Sequence, residues 1–477
     1  MVHVALPRRA AVGTLVPLML VIACGSEPAG PPAAIESLLT APLSGTVGTT
    51  VPTLAARVTD ASGNAVQGVA VTFSVTSGGG SLDPVAATAG ATGALLLAPA
   101  VSDTTDNAGE VRARWTLGPT AGAQVVTAAV SGVSAISFPA TATPDVPNAS
   151  AIDDAAAFIG VVSGPADGPL IVQVRDRFGN AVPDATVSWS VLSGGGAVAA
   201  SSSVSDASGL ARTDVTLGPI AGLNLYRAQV GSLPPDTIGV VGVGGASDPT
   251  GDAVPTGTTF PAHDATFLGA AAVEGFLFLY VRFTAPVGPT ALSGPQPATA
   301  LFANYDLDLD RDTTTGFYTL RQCIGGPPLN FGADAFVDLD QRSAFLGIVS
   351  NPPPGAIAAV RVDSLTGTDR CASEFTGAVL ATVPVYRANA VTLVMPLSFL
   401  ADDGGFDLST FMVSAGANTV TDVVPDSLAL TIPAPTASAT AGAARALATA
   451  WDGLHLRPAR PATVGAPLRA ARAPTRP

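Results

Sequence analysis

The chain of 477 residues carries 51 Gly and 41 Pro, only 12% charged residues and a formal net charge of −14. All 22 basic residues are Arg, and Asp outnumbers Glu by 31 to five, so strong helix formers are scarce while turn formers abound. That balance excludes a mainly helical protein, and it excludes a nucleic-acid binder, which needs a dense cationic face.

The first segment reads as an export signal. Arg8 and Arg9 precede an apolar run from Ala10 to Leu20, shorter than the ~20 residues that span a bilayer. Val21-Ile22-Ala23-Cys24 then resembles the lipobox of bacterial lipoproteins. The resemblance implies cleavage before Cys24 and acylation of its sulfur and new amine. Buried acyl chains contribute about 0.8 kcal/mol per CH₂, so the membrane becomes a partner through lipidated Cys24. Gly25 and Ser26 follow with no Asp in the second position, which points to the outer membrane, on its periplasmic or its exposed side. Residues 1–23 are expected to be a signal peptide and 24–33 a disordered Gly/Pro tether.

Two long segments then match each other. Asp60-Ala61-Ser62-Gly63-Asn64-Ala65-Val66 corresponds to Asp176-Arg177-Phe178-Gly179-Asn180-Ala181-Val182 at an offset of 116. The match persists through Val71/Val187, Phe73/Trp189 and Gly78-Gly79-Gly80/Gly194-Gly195-Gly196. From Asp106/Asp206 and Thr116-Leu117-Gly118-Pro119/Thr216-Leu217-Gly218-Pro219 onward the offset is 100, so the first copy holds about 16 extra residues before Asp103. A repeat of this length is a pair of domains rather than a solenoid unit. Val69, Val71, Phe73 and Val75 alternate with Ala70, Thr72, Ser74 and Thr76, the pattern of a strand buried on one face. Short strands punctuated by such turns predict a two-sheet sandwich for each copy, with Trp115 and Trp189 in the cores.

These residues resemble the bacterial immunoglobulin-like domains of the invasin and intimin type. The shared pattern is a strand ending in Asp, then x-x-Gly-Asn-x-Val, a Val-x-Phe strand, a Gly-rich turn, Asp-x-x-Gly and a late Ala-Gly turn. It covers residues 34–144 and 150–244. The resemblance implies rigid spacers that hold a terminal binding domain away from a membrane. The chain has no β-barrel translocator and no lectin-like tip, so the resemblance does not extend to host-cell adhesion.

Residues 248–434 predict a third, larger β-sandwich. Phe276 to Val281, Val391 to Val394 and Phe411 to Val413 read as buried strands. Asp306, Asp308, Asp310 and Asp312, followed by Thr313-Thr314-Thr315-Gly316, supply hard oxygens at a spacing that suits calcium. Arg311 and Phe317 stand where an EF-hand loop needs Gly and Glu, so this is not an EF-hand. A solvated acidic face or turn, with Leu307 and Leu309 turned to the core, accounts for the same spacing, and both readings stay open. Asp334, Asp338 and Asp340 form a second acidic group able to contribute. The layout loosely resembles jelly-roll sugar-binding modules, which stack rings on exposed Trp or Tyr; this segment has no Trp and offers Tyr280, Tyr305, Tyr318 and Tyr386.

Cys323 and Cys371 fall in this segment and are expected to pair in an oxidising compartment. His263 is expected in a surface loop, and no catalytic residue or obligatory cofactor is assigned; Gly-x-Ser-x-Gly, HExxH and Walker motifs are missing from the sequence. Residues 435–477, with six Arg against one Asp, are expected to be a disordered tail. The expected whole is an all-β, exported, lipid-anchored protein. Two tandem Ig-like sandwiches present a jelly-roll-like sandwich that binds a glycan or a protein. The alternatives are a polysaccharide-binding accessory lipoprotein and, behind it, a hydrolase.

Overall fold

The computed structural model describes residues 29–85, 98–253, 261–318, 323, 331–371, 374–400, 405–414, 419–425, 429–432, 462–463 and 468–469. Cys24 and the signal lie outside the described residues. The chain is all-β and divides into two compact units, one ending at Pro144 and one beginning at Asp145. No helix among the described residues is long and apolar enough to cross a membrane.

The first unit is a sandwich. One sheet runs in the order Ala34–Ser37, Leu54–Thr59, Glu110–Leu117, Gly80–Pro84. The other runs Leu43–Thr46, Ile136–Thr143, Gly122–Ala129, Ala70–Ser77, Ala100–Thr104. The period of two does its work strand by strand. Along Glu110–Leu117 the side chains of Val111, Ala113, Trp115 and Leu117 point inward, and Arg112 and Arg114 face out. Trp115, Phe73, Leu54 and Leu82 are fully buried in the shared core.

The matching Asp of each repeat organises its turn. Asp60 accepts N–H bonds from Ser62 (2.9 Å) and Asn64 (2.8 Å) on one oxygen and from Gly30 (2.9 Å) on the other. Asp176 does the same with Phe178 (2.8 Å), Asn180 (2.9 Å) and Asp145 (3.0 Å). The Gly30 and Asn64 amides hold the Asp60 carboxyl down at about 2. Each Asp therefore closes a turn and also ties down the residue that leads into its sandwich; Gly30, expected in the free tether, is held this way.

The second unit begins with the other repeat. Ala149–Ile152, Leu170–Arg175 and Leu210–Thr213 form one sheet. Ser202–Val204, Thr186–Ser193, Gly222–Val230 and Asp236–Ser247 form the other. Trp189 lies in the core between them and is 3% exposed. The last strand does not stop at the repeat. Asp236–Gly242 pairs with Gly222–Ala228, and Gly244–Ser247 pairs with Phe267–Ala270 of the next sandwich. The sheet then continues through Ala265–Val273, Phe276–Phe283, Ala390–Pro396 and Val385–Arg387. Side chains reinforce the join: Phe158, Ile159, Val241 and Val243 pack with Phe267, Phe278 and Tyr280, and Arg282 pairs with Asp167 at 3.1 Å.

The opposing sheet of the C-terminal sandwich runs Thr419–Val424, Phe406–Ser414, Ala303–Asp308, Ala335–Asp338, Ile357–Arg361, Ala378–Thr382. It is buried on both faces. Tyr305, Leu307, Val337, Ala359 and Leu380 meet the first sheet. Phe336, Ala358, Val360 and Val379 lie under a separate cap with Phe317, Phe331, Phe345 and Phe375. Two pieces of the expected disordered tail are strands: Ala462–Thr463 pairs with Ala378–Val379, and Leu468–Arg469 with Glu374–Phe375. Unsatisfied edge N–H and C=O groups on those strands give the tail something to bond to, which composition alone does not register.

Candidate functional site

Ala303–Asp308 is an interior strand, paired with Phe406–Ser414 on one side and Ala335–Asp338 on the other. The solvated reading therefore fails for Asp306 and Asp308, both 0% exposed, while Asp310 and Asp312 do lie in an exposed turn. The alternation was read correctly, with Leu307 and Leu309 in the core, but the opposite face is roofed as well.

The carboxylates that converge are Asp308, Asp310 and Asp334, with one oxygen of each lying within 4.8 Å of the others. Asp308 ends its strand, Asp310 follows in an exposed turn where Arg311 takes a positive φ of 58°, and Asp334 precedes Ala335–Asp338 on the neighbouring strand. The turn returns through Phe317, whose N–H donates to Ala333 O at 2.7 Å, and this brings Asp334 under Asp310. Asp306 and Asp312, expected in the same set, are not among the three. Asp306 sits one pleat repeat back along the strand, about 7 Å at 3.4 Å per residue. Asp312 turns its carboxylate onto its own loop and accepts from the Thr314 N–H (2.9 Å) and hydroxyl (2.6 Å).

The three carboxylates are not equivalent. Asp334 Oδ2 accepts the N–H groups of Leu309 (3.0 Å) and Asp310 (3.3 Å). Asp310 accepts the Asp312 N–H (2.8 Å) and the Thr315 hydroxyl (3.0 and 3.1 Å). Both Asp308 oxygens are buried with no hydrogen-bond partner. Burial first, then the charge of Asp334, pushes the Asp308 carboxyl up to about 7. Burial and Asp310 push Asp334 up to about 6.

The loop over this cluster is held from outside. Arg370 donates from Nε to Gly316 O (2.6 Å) and from Nη1 to Thr313 O (2.8 Å), and its guanidinium lies 4.1 Å from the centre of the Tyr318 ring. Arg370 adjoins Cys371, which is disulfide-bonded to Cys323 with 5.6 Å between the Cα atoms. The pairing expected from the sequence is present, and it anchors the arginine that braces the acidic loop.

A second acidic group, Asp248, Asp252 and Asp422, also has oxygens within 4.8 Å of one another. No motif or spacing in the sequence points to their meeting, since about 170 residues separate the two ends. Asp422 accepts the Ala265 N–H at 2.8 Å, and burial, with the charges of Asp252 and Asp264, pushes it up to about 6.

His263 is not in a surface loop. It is 6% exposed, its Nε2 lies 2.9 Å from Ala300 O, and burial lowers its pKa. Of the four Tyr residues in this sandwich, Tyr280 and Tyr305 are fully buried and Tyr386 is half-buried. Tyr318 is 38% exposed, with Arg370 over its ring.

No family model matches the chain, and no curated protein matches it. Among solved structures, the Escherichia coli adhesin FdeC is 15% identical, covering 86% of this chain and 99% of its own, with a TM-score of 0.33. Invasin, described as a bacterial integrin-binding protein, is 11% identical over 84% of this chain and 79% of its own, with a TM-score of 0.22. The D00-D0 domain of intimin is 14% identical over 44% of this chain and 100% of its own, with a TM-score of 0.24. Scores of this size fall short of a common overall fold, and the architecture rests on the strand pairing of the chain itself.

Proposed function

We propose that this chain is an exported, lipid-anchored envelope protein in which Ig-like sandwiches present the C-terminal β-sandwich for binding, without catalysis. The observation that supports this reading is the strand Asp236–Ser247. It belongs to the second repeat and to the terminal sandwich at once, so the repeat carries its neighbour rigidly, as a presenting element must. The acidic body, −21 over residues 25–440, suits a soluble surface held off anionic polymers. A sugar-stacking role has less support, since Tyr318 is the one Tyr of this sandwich with an exposed ring and Arg370 already covers a face of it.

The test is expression in a diderm bacterium with labelled palmitate. The wild-type chain takes up label and is shaved from intact cells by added protease, and Cys24→Ser abolishes the label and releases the chain from the membrane fraction. A Cys24→Ser chain that stays membrane-bound refutes the anchor. Full protection from protease in intact cells refutes surface presentation.

A further inference from the structure

The acidic cluster at the end of Ala303–Asp308 holds more negative charge than its neighbours balance. Burying a carboxylate without donors costs several kcal/mol, so native structures neutralise such a group or give it a partner. Asp310 and Asp334 have theirs, in the N–H and hydroxyl donors described above. Asp308 is fully buried, and neither of its oxygens has a donor in good hydrogen-bond geometry; the Arg311 N–H is near enough to pull its pKa down but makes no full bond. The nearby arginines are occupied elsewhere. Arg311 donates from Nη2 to Ile432 O at 2.7 Å and faces Asp407 at 3.7 Å. Arg370 bonds Gly316 O and Thr313 O; its charge favours the ionised Asp334, but no hydrogen bond from it reaches Asp308. A proton on Asp308 would serve one oxygen and leave the other bare. A metal ion serves all three carboxylates together.

We propose that Asp308, Asp310 and Asp334 form a binding site for one hard divalent cation, and that the cation is Ca²⁺. The donor set is oxygen only, which selects against the softer ions that prefer imidazole or thiolate. Ca–O bonds of about 2.3–2.6 Å place opposed ligands about 4.6–5.2 Å apart, while the ~2.0–2.1 Å bonds of Mg²⁺ bring them to about 4.2 Å. Carboxylate oxygens that all lie within 4.8 Å of one another are within the span of a Ca²⁺ coordination shell. Asp308 closes the buried side of the site and Asp310 lies on the exposed side, where water completes the coordination. Three carboxylates and an open side place the affinity among the weaker extracellular calcium modules, at a Kd of about 10⁻⁴–10⁻³ M. The disulfide-anchored Arg370 fixes the loop that carries Asp310, so that little ordering remains when the ion binds. The site stands on its own geometry and does not depend on where the protein is displayed.

The test is calorimetric titration of the chelator-stripped full chain with CaCl₂, paired with thermal unfolding with and without millimolar CaCl₂. The expected result is one equivalent of Ca²⁺ bound and a raised melting temperature for the unit that begins at Asp145. Asp308→Asn and Asp310→Asn each weaken binding about tenfold or more. Stripped Asp308→Asn melts no lower than the stripped parent, since it removes a buried charge, and the exposed Asp310→Asn melts with it, so lost binding is not lost folding. No heat and no melting shift in the parent overturns the proposal. So does unchanged binding in both variants, or binding lost in Asp422→Asn and kept in Asp308→Asn, which would move the ion to the other acidic group. Equal affinity for Mg²⁺ and Ca²⁺ overturns the choice of ion.

Discussion

Gln124 is the position where the sandwich of the first unit is most exposed to a single substitution. It is 0% exposed and clamps the Thr116-Leu117-Gly118-Pro119 turn. Its Oε1 accepts the Gly118 N–H at 2.8 Å, and its Nε2 donates to Thr120 O at 2.7 Å and Gly118 O at 3.4 Å. The amide fits only because position 78 has no side chain. Gly78 holds a φ of +81°, and a Cβ there would lie 2.3 Å from Gln124 Cγ. Gln124→Leu keeps the bulk and removes the bonds. The buried Gly118 N–H is left without an acceptor, at about 1–3 kcal/mol, and the bond to the solvent-exposed Thr120 is worth about 1 kcal/mol more. The total of roughly 2–4 kcal/mol corresponds, for a sandwich of some 110 residues unfolding with ~2.1 cal/mol/K per residue, to a fall of about 9–17 °C in its Tm. Scanning calorimetry of the full chain reads the transition of the first unit, and amide exchange at Gly118 reads the site. Gln124→Asn retains an amide and loses less than Gln124→Leu. Leucine within about 0.5 kcal/mol of the parent, with Gly118 still protected, refutes the reasoning.

The corresponding residue of the second repeat, Asn224, holds Gly218 N–H at 2.9 Å but has only one further, longer bond, to Gly222 O at 3.4 Å, so Asn224→Leu costs its unit less than Gln124→Leu costs the first. The tryptophans separate in the same way. Trp189 Nε1 donates to Ser203 Oγ at 2.8 Å, while Trp115 Nε1 has no acceptor among the described residues. Denaturant titration therefore shows Trp189→Phe losing about 1 kcal/mol more than Trp115→Phe; the reverse order would refute the assignment. Asp422 predicts a pH effect. Its folded pKa of about 6 lies above the ordinary 3.8, so the folded chain takes up that proton first. The destabilisation is complete above pH ~6 and is relieved as the pH falls toward 4. Asp422→Asn should accordingly raise the melting temperature more, relative to the parent, at neutral pH than near pH 4.5, in chelator; an equal difference at both would count against it.

What could be read from the sequence was local. Val71 and Phe73 announce their strand by alternation, and Asp60 with Gly63-Asn64 announces its turn because all the partners lie within a few residues. The repetition of both patterns then made the sandwich architecture readable twice over. Asp308 and Asp310 were legible as neighbours, while Asp334, although noted as a contributor, was placed by a strand pairing that no spacing encodes. Burial was harder. His263 was read as a surface residue, and a solvated face was one of two readings for Asp306 and Asp308, because polar residues usually are solvated; each is covered by elements distant in sequence. Asp248 and Asp422 lie at opposite ends of the C-terminal segment, and only the folded chain brings them together.

The strand Asp236–Ser247 also has a mechanical meaning. Most tandem modules meet at a few unpaired residues that swivel under load. Here tension applied to the terminal sandwich enters the second repeat along twelve residues of hydrogen-bonded backbone, with no joint to swing. A sideways pull on the terminal sandwich would turn it and the second repeat together, as one lever.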